Sequence, residues 1–399
     1  MEQAKDQIDK SEAAPAASAL LEPMSFEEVI GWAEDDHAAA LSCFRVSAKR
    51  MSQRPYTTKL LGIDAVALAA AGKAALELDE ITRSDMMMAR AFFERWFTPH
   101  RIIADKARPD DRSVDMDGFV TGYFEPEVEA SPERTDRFKY PVLGRPADLV
   151  EIDDDTRPSH IDPRHFFARK SDDGLFTYPD RRSIEEGALE GLGLELFWFE
   201  SRIDIFFVHI QGSARLVLPD GTGARISYAG KSGHPFTAIG KLLIERGELT
   251  LENVTMQTIR NWLESHPESA DDLMRENRSY IFFQIIDHPE PQMGPVAAAG
   301  VPLTPGRSLA VDHRLQTFGT PVFVRTEKPL PGEKKPFARL MVAQDTGSAI
   351  VGPARGDLFI GTGREAGEIA GAVKHQAQFV ALLPKVVINE NNPPKGGAG

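Results

Sequence analysis

The chain has 399 residues, 42% of them hydrophobic and 27% charged, and Asp and Glu outnumber Lys and Arg to a net charge of −14. Length and apolar content allow a sizeable core in two to three domains, which excludes wholesale disorder. The acidic balance, with no Lys/Arg-rich stripe, excludes a phosphate backbone as partner, so no nucleic acid is expected. The single cysteine, Cys43, excludes an internal disulfide and a cysteine-based zinc pattern. It reads as a small buried residue on a helix. No apolar run reaches the roughly 18–20 residues of a membrane span.

In chain order, residues 1–12 carry more acid than base, the wrong sign for the start of a signal peptide. Residues 1–22 therefore read as a disordered lead-in. Ser25-Phe26-Glu27-Glu28 is a capping box and predicts a helix start. Asp36 to Arg50 continues helical, with Leu41, Phe44 and Ala48 on one face. A stronger helix, capped by Ser84, repeats Ala89, Phe93 and Phe97 every four residues. Its opening Met86-Met87-Met88 reads as core filling.

Near residue 118 the texture changes. Gly122-Tyr123-Phe124-Glu125-Pro126 opens a series of short β-type runs divided by Pro, Gly and Asp. Residues 151–185, rich in Asp, Pro and Arg, read as loops. Leu196 to Ile210 is aromatic and β-branched and predicts one or two strands. Leu216 to Leu218 predicts another, with Pro219-Asp220-Gly221 as its turn. Phe236 to Arg246 and Val254 to His266 return to helical spacing. After about residue 290, Gly306 to Val311, Thr320 to Arg325, Ala338 to Ala343 and Phe379 to Leu383 predict strands. A short helix is expected from Arg364 to Val373, and Asn389 to Gly399 is a flexible end. Patterning alone describes a β-rich α+β chain of two domains.

Candidate chemistry concentrates late in the chain. Asp312 follows the run Ser308 to Val311, Asp345 follows Leu340 to Ala343, and Asp357 sits in the Gly-rich stretch Gly352 to Asp357. Strand ends and turns are where a scaffold presents functional carboxylates. They are also where Asp serves simply to cap backbone donors, so both readings stand. Asp345-Thr346-Gly347 matches the aspartic-protease signature, but that chemistry needs two copies sharing a proton and the chain has one. There is no G-x-S-x-G elbow, no phosphate-binding P-loop and no H-E-x-x-H pair. His209 and His234 read as structural or substrate-contacting rather than as metal ligands.

Six stretches in consistent order across residues 118–385 carry a resemblance. They are Thr121-Gly122-Tyr123-Phe124-Glu125-Pro126; Tyr140-Pro141 with Pro146-Ala147-Asp148-Leu149; Ile210-Gln211-Gly212-Ser213; Tyr228 to Pro235; Val301 to Ser308; and the set Asp312, Asp345, Asp357. Together they resemble the A-type membrane-bound lytic murein transglycosylases (MltA), with a C-terminal three-aspartate (3D) domain.

The resemblance implies a mainly β (α+β) fold. A double-psi β-barrel domain with N-terminal helices would be built from residues 23–120 and 290–386. A smaller β-rich domain, residues 121–289, would be inserted into it as the wall of a glycan groove, and residues 387–399 would form a flexible tail. It implies non-hydrolytic cleavage of the MurNAc-β-1,4-GlcNAc bond of peptidoglycan to a 1,6-anhydro product, with Asp357 as acid/base and Asp345 and Asp312 as companions. Thr121, Tyr123, Gln211 and Ser213 are the residue types expected against the sugars. The chemistry calls for no metal or cofactor. The implied partners are peptidoglycan glycan strands, the outer membrane and cell-wall synthesis proteins, in the periplasm or cell envelope. A double-psi-barrel glycan hydrolase and a non-catalytic wall-binding module are the alternatives.

Overall fold

The computed structural model describes residues 20–104, 118–286, 293–347 and 349–385. Residues 1–19 of the expected lead-in and the tail 387–399 lie outside them. Leu20 to Glu22 do not belong to a lead-in: Leu21–Pro23 is a strand antiparallel to Phe97–Ile102.

The architecture is mixed α+β and rich in strands. Six strands close on themselves in the order Gly118–Glu125, Arg355–Thr362, Ser308–Val311, Ala338–Asp345, Pro321–Thr326, Lys374–Pro384 and back to Gly118–Glu125. Closure leaves no free edge in the ring and puts alternate side chains inside. Val120, Leu309, Val311, Val322, Val324, Met341, Leu358 and Phe379 fill that interior. The long strand Lys374–Pro384 also pairs with Phe97–Ile102, which extends the sheet outside the ring.

The N-terminal helices cover part of the outer face. His37–Gln53, Ala65–Glu77, Glu80–Ser84 and Met86–Trp96 each begin at an aspartate (Asp36, Asp64, Asp79, Asp85) whose carboxylate accepts from the first-turn N–H groups. Ser84 thus ends one helix, and Asp85 caps the next. Leu41, Phe44, Ala48, Phe93 and Phe97 pack on Phe323, Leu340, Val342 and Val380 of the ring. The methionine run is not core: Met86, Met87 and Met88 are 56%, 70% and 49% exposed. The helix buries only its Ala89, Phe92 and Phe93 face, and the first turn precedes that contact.

A second six-stranded sheet runs Ile281–Ile285, Gly223–Lys231, Ser213–Val217, Glu127–Ser131, Glu195–Phe199, Tyr140–Leu143, and a single bridge from Gly144 to Phe283 joins its two ends. The change of sheet falls at Pro126, because Gly118–Glu125 pairs within the ring along most of its length. Within the expected 151–185 loops, Phe167–Ser171 and Gly174–Phe176 form a small sheet with Leu149–Glu151, and Arg181–Glu185 is helical.

The run Leu196 to Ile210 is strand only as far as Phe199. Ser201 then caps the helix Arg202–Gln211, which Gly212 ends with a left-handed φ of 78°. That helix buries five consecutive residues, Ile205 to His209, so it shows no amphipathic period and its aromatic composition resembles a strand.

The two sheets meet at a buried ion pair. Arg225 Nε lies 2.9 Å from Glu125 Oε1, with both side chains almost fully buried, and the guanidinium also donates to the carbonyls of Met293 and Gly294. Thr362 Oγ1 donates to the same carboxylate at 2.8 Å. Removing one member of such a pair leaves an unpaired buried charge. Arg225→Met should lower the unfolding free energy by about 3–5 kcal/mol in urea melts. The double variant Arg225→Met/Glu125→Leu should recover most of that loss, because no stranded charge remains.

Candidate active site

The strand register sets the site. Asp345 is opposite Ala310, Ala310 is opposite Asp357, and Asp357 is opposite Thr121, on four neighbouring strands. Residues paired this way share a face of the sheet. Their neighbours Leu309, Leu358 and Val120 point into the ring, so this row lies on its outer face. Two strand spacings separate Asp345 from Asp357, roughly 10 Å between Cα atoms, with only the small Ala310 between them. Asp357 was expected in a turn; it lies instead within the strand Arg355–Thr362, because the turn ends at Ala354 and Gly356 to Leu358 are paired on both sides.

Asp357 is half-buried. Its Oδ1 accepts from Thr121 Oγ1 at 2.6 Å, and Arg355 Nη2 donates to that same hydroxyl oxygen at 2.8 Å. Burial is the main influence on the Asp357 carboxyl and pushes its pKa up to about 6, helped by the charge of Asp345 and opposed by the Thr121 hydroxyl and the Arg355 charge. No salt bridge closes on Asp357 among the described residues.

Asp345 is saturated with donors. Tyr123 Oη donates to its Oδ2 at 2.8 Å, and the backbone N–H groups of Thr346 and Ala298 donate to its Oδ1 at 2.9 and 3.2 Å. Burial pushes its carboxyl up against those three donors. Tyr123 and Thr121 alternate on one strand and so face the same way. Burial and the facing Asp345 carboxylate keep the Tyr123 hydroxyl protonated, and its ring packs on Phe359 at 5.4 Å. The segment carrying Ala298 lies close against this face: a Cβ on Gly294 would fall 2.5 Å from the Phe359 ring, a position only glycine tolerates.

The other expected residues are placed differently. Asp312 is buried and bound by Arg314 at 2.7 Å and by the N–H groups of Arg314 and Gly352. Burial alone would raise its carboxyl, but these partners outweigh it and hold it below the ordinary aspartate range. It anchors the loop that leads into the Asp357 strand. Gln211 reaches across from the second sheet's helix, its Oε1 accepting from Phe124 N–H at 3.2 Å. Ser213 is buried opposite Ser227. His209 packs between Tyr280 and Phe283, and His234 Nε2 donates to the Tyr178 carbonyl, both away from the aspartate row. Cys43 is buried where Gln344 bonds Ser47 and Ser308, a polar knot that holds the strand just before Asp345. A cavity of about 330 Å³ near Phe124, Glu129, Arg260 and Arg364 includes neither Asp345 nor Asp357.

Arg355 and Ala298 were not anticipated. Arg355 had a signal, two residues before Asp357 and hence on its face of a strand; Ala298 acts through its backbone and had none.

Comparison with known proteins finds a family for the chain. Residues 119–284 match the MltA specific insert domain and residues 307–383 the 3D domain. Membrane-bound lytic murein transglycosylase A of Vibrio cholerae is 34% identical over 264 residues, 64% of this chain, and the match spans 63% of that relative's length. The crystal structure of a membrane-bound lytic murein transglycosylase from Agrobacterium tumefaciens superposes with a TM-score of 0.82 at 44% identity, covering 91% of this chain and 97% of that one. E. coli MltA with bound chitohexaose gives a TM-score of 0.61 at 25% identity, covering 92% and 91%. Two domain matches in register and 44% identity across almost the whole of a solved structure lead to one conclusion: the chain belongs to the membrane-bound lytic murein transglycosylase A family.

Proposed function

We propose that this protein is a peptidoglycan lytic transglycosylase that cleaves the MurNAc-β-1,4-GlcNAc bond without water, with Asp357 as its single acid/base. The observation that carries the reading is a half-buried carboxyl raised to about 6, held by a hydroxyl rather than a salt bridge, on the outer face of the ring. A general acid near neutral pH needs such a group. A relative's structure holds chitohexaose, a β-1,4-linked amino-sugar chain, which supports a glycan strand as the ligand.

In this reading Asp357 protonates the leaving glycosidic oxygen. The substrate's own C6 hydroxyl then attacks C1, which closes the 1,6-anhydro ring, and Asp357 takes up the C6 proton. An intramolecular nucleophile has a high effective molarity, so one carboxyl suffices where glycosidases use two. Asp345, held in place by Tyr123, Thr346 and Ala298, supplies negative charge toward the oxocarbenium-like state. Asp312 serves as a loop anchor. Gln211 fastens the second sheet beside Tyr123, and Ser213 supports it from within.

We read the six-stranded ring as the double-psi barrel, with the sheet of residues 127–285 as the inserted domain. The relatives' names place them at a membrane, and we place this chain in the cell envelope, in the periplasm and associated with the outer membrane. No helix among the described residues is long and apolar enough to cross a membrane.

Digestion of purified sacculi should release muropeptides lighter by one water than hydrolysis products. Normal reducing ends would instead indicate a hydrolase. Asp357→Asn should abolish release, by at least about a hundredfold, while sacculus binding persists; unchanged turnover would rule out the acid/base role.

Activity should depend on pH in a defined direction. The acid must start protonated, so kcat/KM should fall as pH rises through about 6. A profile flat from pH 5 to 8 would contradict the assignment.

Stability carries the opposite sign of cost. A carboxyl raised in the fold favours the native state fully below its unfolded value, and that advantage disappears as pH rises through about 6. Asp357→Asn should therefore raise Tm at pH 8, by about 1–3 °C, with little gain at pH 4.

A further inference from the structure

Thr121 was expected to contact sugar, but its hydroxyl is already engaged on both sides. Arg355 has donors only, so its 2.8 Å contact makes Thr121 Oγ1 an acceptor there. The hydroxyl carries one proton, and its second contact is the Asp357 Oδ1 at 2.6 Å, short enough for a bond strengthened by charge. A guanidinium donating into a hydroxyl polarises it, making it a better donor and a poorer acceptor. The second Arg355 arm donates to the Gly356 carbonyl, which fixes the guanidinium against the strand carrying Asp357. The Arg355 and Thr121 side chains thus lie on adjacent paired strands, where ring closure holds them.

We propose that Arg355 and Thr121 form a one-way hydrogen-bond relay that reserves Oδ1 of Asp357 as acceptor and directs its transferable proton to Oδ2. Both are positioning residues: neither needs to touch the substrate, and each acts through Asp357. The inference rests on Asp357 being the acid/base, and it assigns the reacting oxygen within that carboxyl. Oδ2 hands its proton to the glycosidic oxygen and is the atom that takes up the C6 proton. Without the relay the proton would distribute over both oxygens, and only one of these forms points at the bond. The relay also favours the carboxylate, so its loss has two effects of opposite sign. More Asp357 is protonated at neutral pH, yet each turnover is slower.

The test uses the full chain with sacculi as substrate and three variants, Thr121→Val, Thr121→Ser and Arg355→Gln. Valine keeps the β-branched shape that a strand accepts, and serine returns the hydroxyl. Thr121→Val should reduce kcat about ten- to hundredfold, leave sacculus sedimentation within about twofold, and move the alkaline limb of kcat/KM up by roughly one pH unit. Arg355→Gln should act in the same direction, and Thr121→Ser should restore most of both. Weaker sacculus binding with an unmoved limb would make Thr121 a sugar ligand and overturn the relay.

A second readout needs no activity. The carboxylic C=O infrared band assigned by its loss in Asp357→Asn should titrate at higher pH in Thr121→Val than in the parent. An unshifted midpoint overturns the relay. Full turnover in Asp357→Asn would remove the catalytic reading while the infrared titration still decided whether the relay exists.

Discussion

The parallel pairing of Gly118–Glu125 with Arg355–Thr362 is the constraint on which the rest depends. It joins segments more than 230 residues apart and closes the six-stranded ring. The same contact sets Thr121 on Asp357, aims Tyr123 at Asp345, and delivers Glu125 to the buried Arg225 that fastens the second sheet. Loop-closure entropy makes such a pairing costly to form. Once formed, it organises core, junction and site together, because alternate residues of one strand serve the interior and the outer face.

The acidity of the site follows from a balance on that outer face. Asp357 loses solvent to the surrounding strands and rises, while Thr121 and Arg355 pull it part of the way back. A group left wholly desolvated would titrate too high to give up its proton readily, and one in a salt bridge too low to hold it. Asp312 shows the second case in the same fold: equally a late-chain aspartate, it has an Arg314 partner and two backbone donors and stays low. Two aspartates that look alike in sequence are thus separated by their partners into an anchor and a candidate acid.

The second sheet reaches the site through two side chains of its own, Gln211 and Arg225. Gln211 meets the Phe124 N–H, and Arg225 meets Glu125 and the carbonyls of Met293 and Gly294. The segment that follows, tied to Asp345 through Ala298, joins the inserted stretch back to the ring.

Much of this was legible in the residues. The helices Arg364–Ala372 and Met256–Ser265 and four of the ring strands after residue 300 follow from periodicity and turn chemistry. Local pattern failed where burial removed the period. Leu196 to Ile210 is strand only to Phe199 and helix from Arg202, and that helix buries five consecutive residues, Ile205 to His209, which hides its period. Gly356 and Asp357 looked like a turn because Gly and Asp are turn residues, and only pairing on both sides made them a strand. What the amino-acid order determined by itself was the inventory: element types, the family likeness and the carboxylates that could act. What only the tertiary structure decided was which of them share a row, which carry a proton and which hydroxyl is already committed. Those depend on partners hundreds of residues away, whose distances and desolvation exist only once the ring has closed.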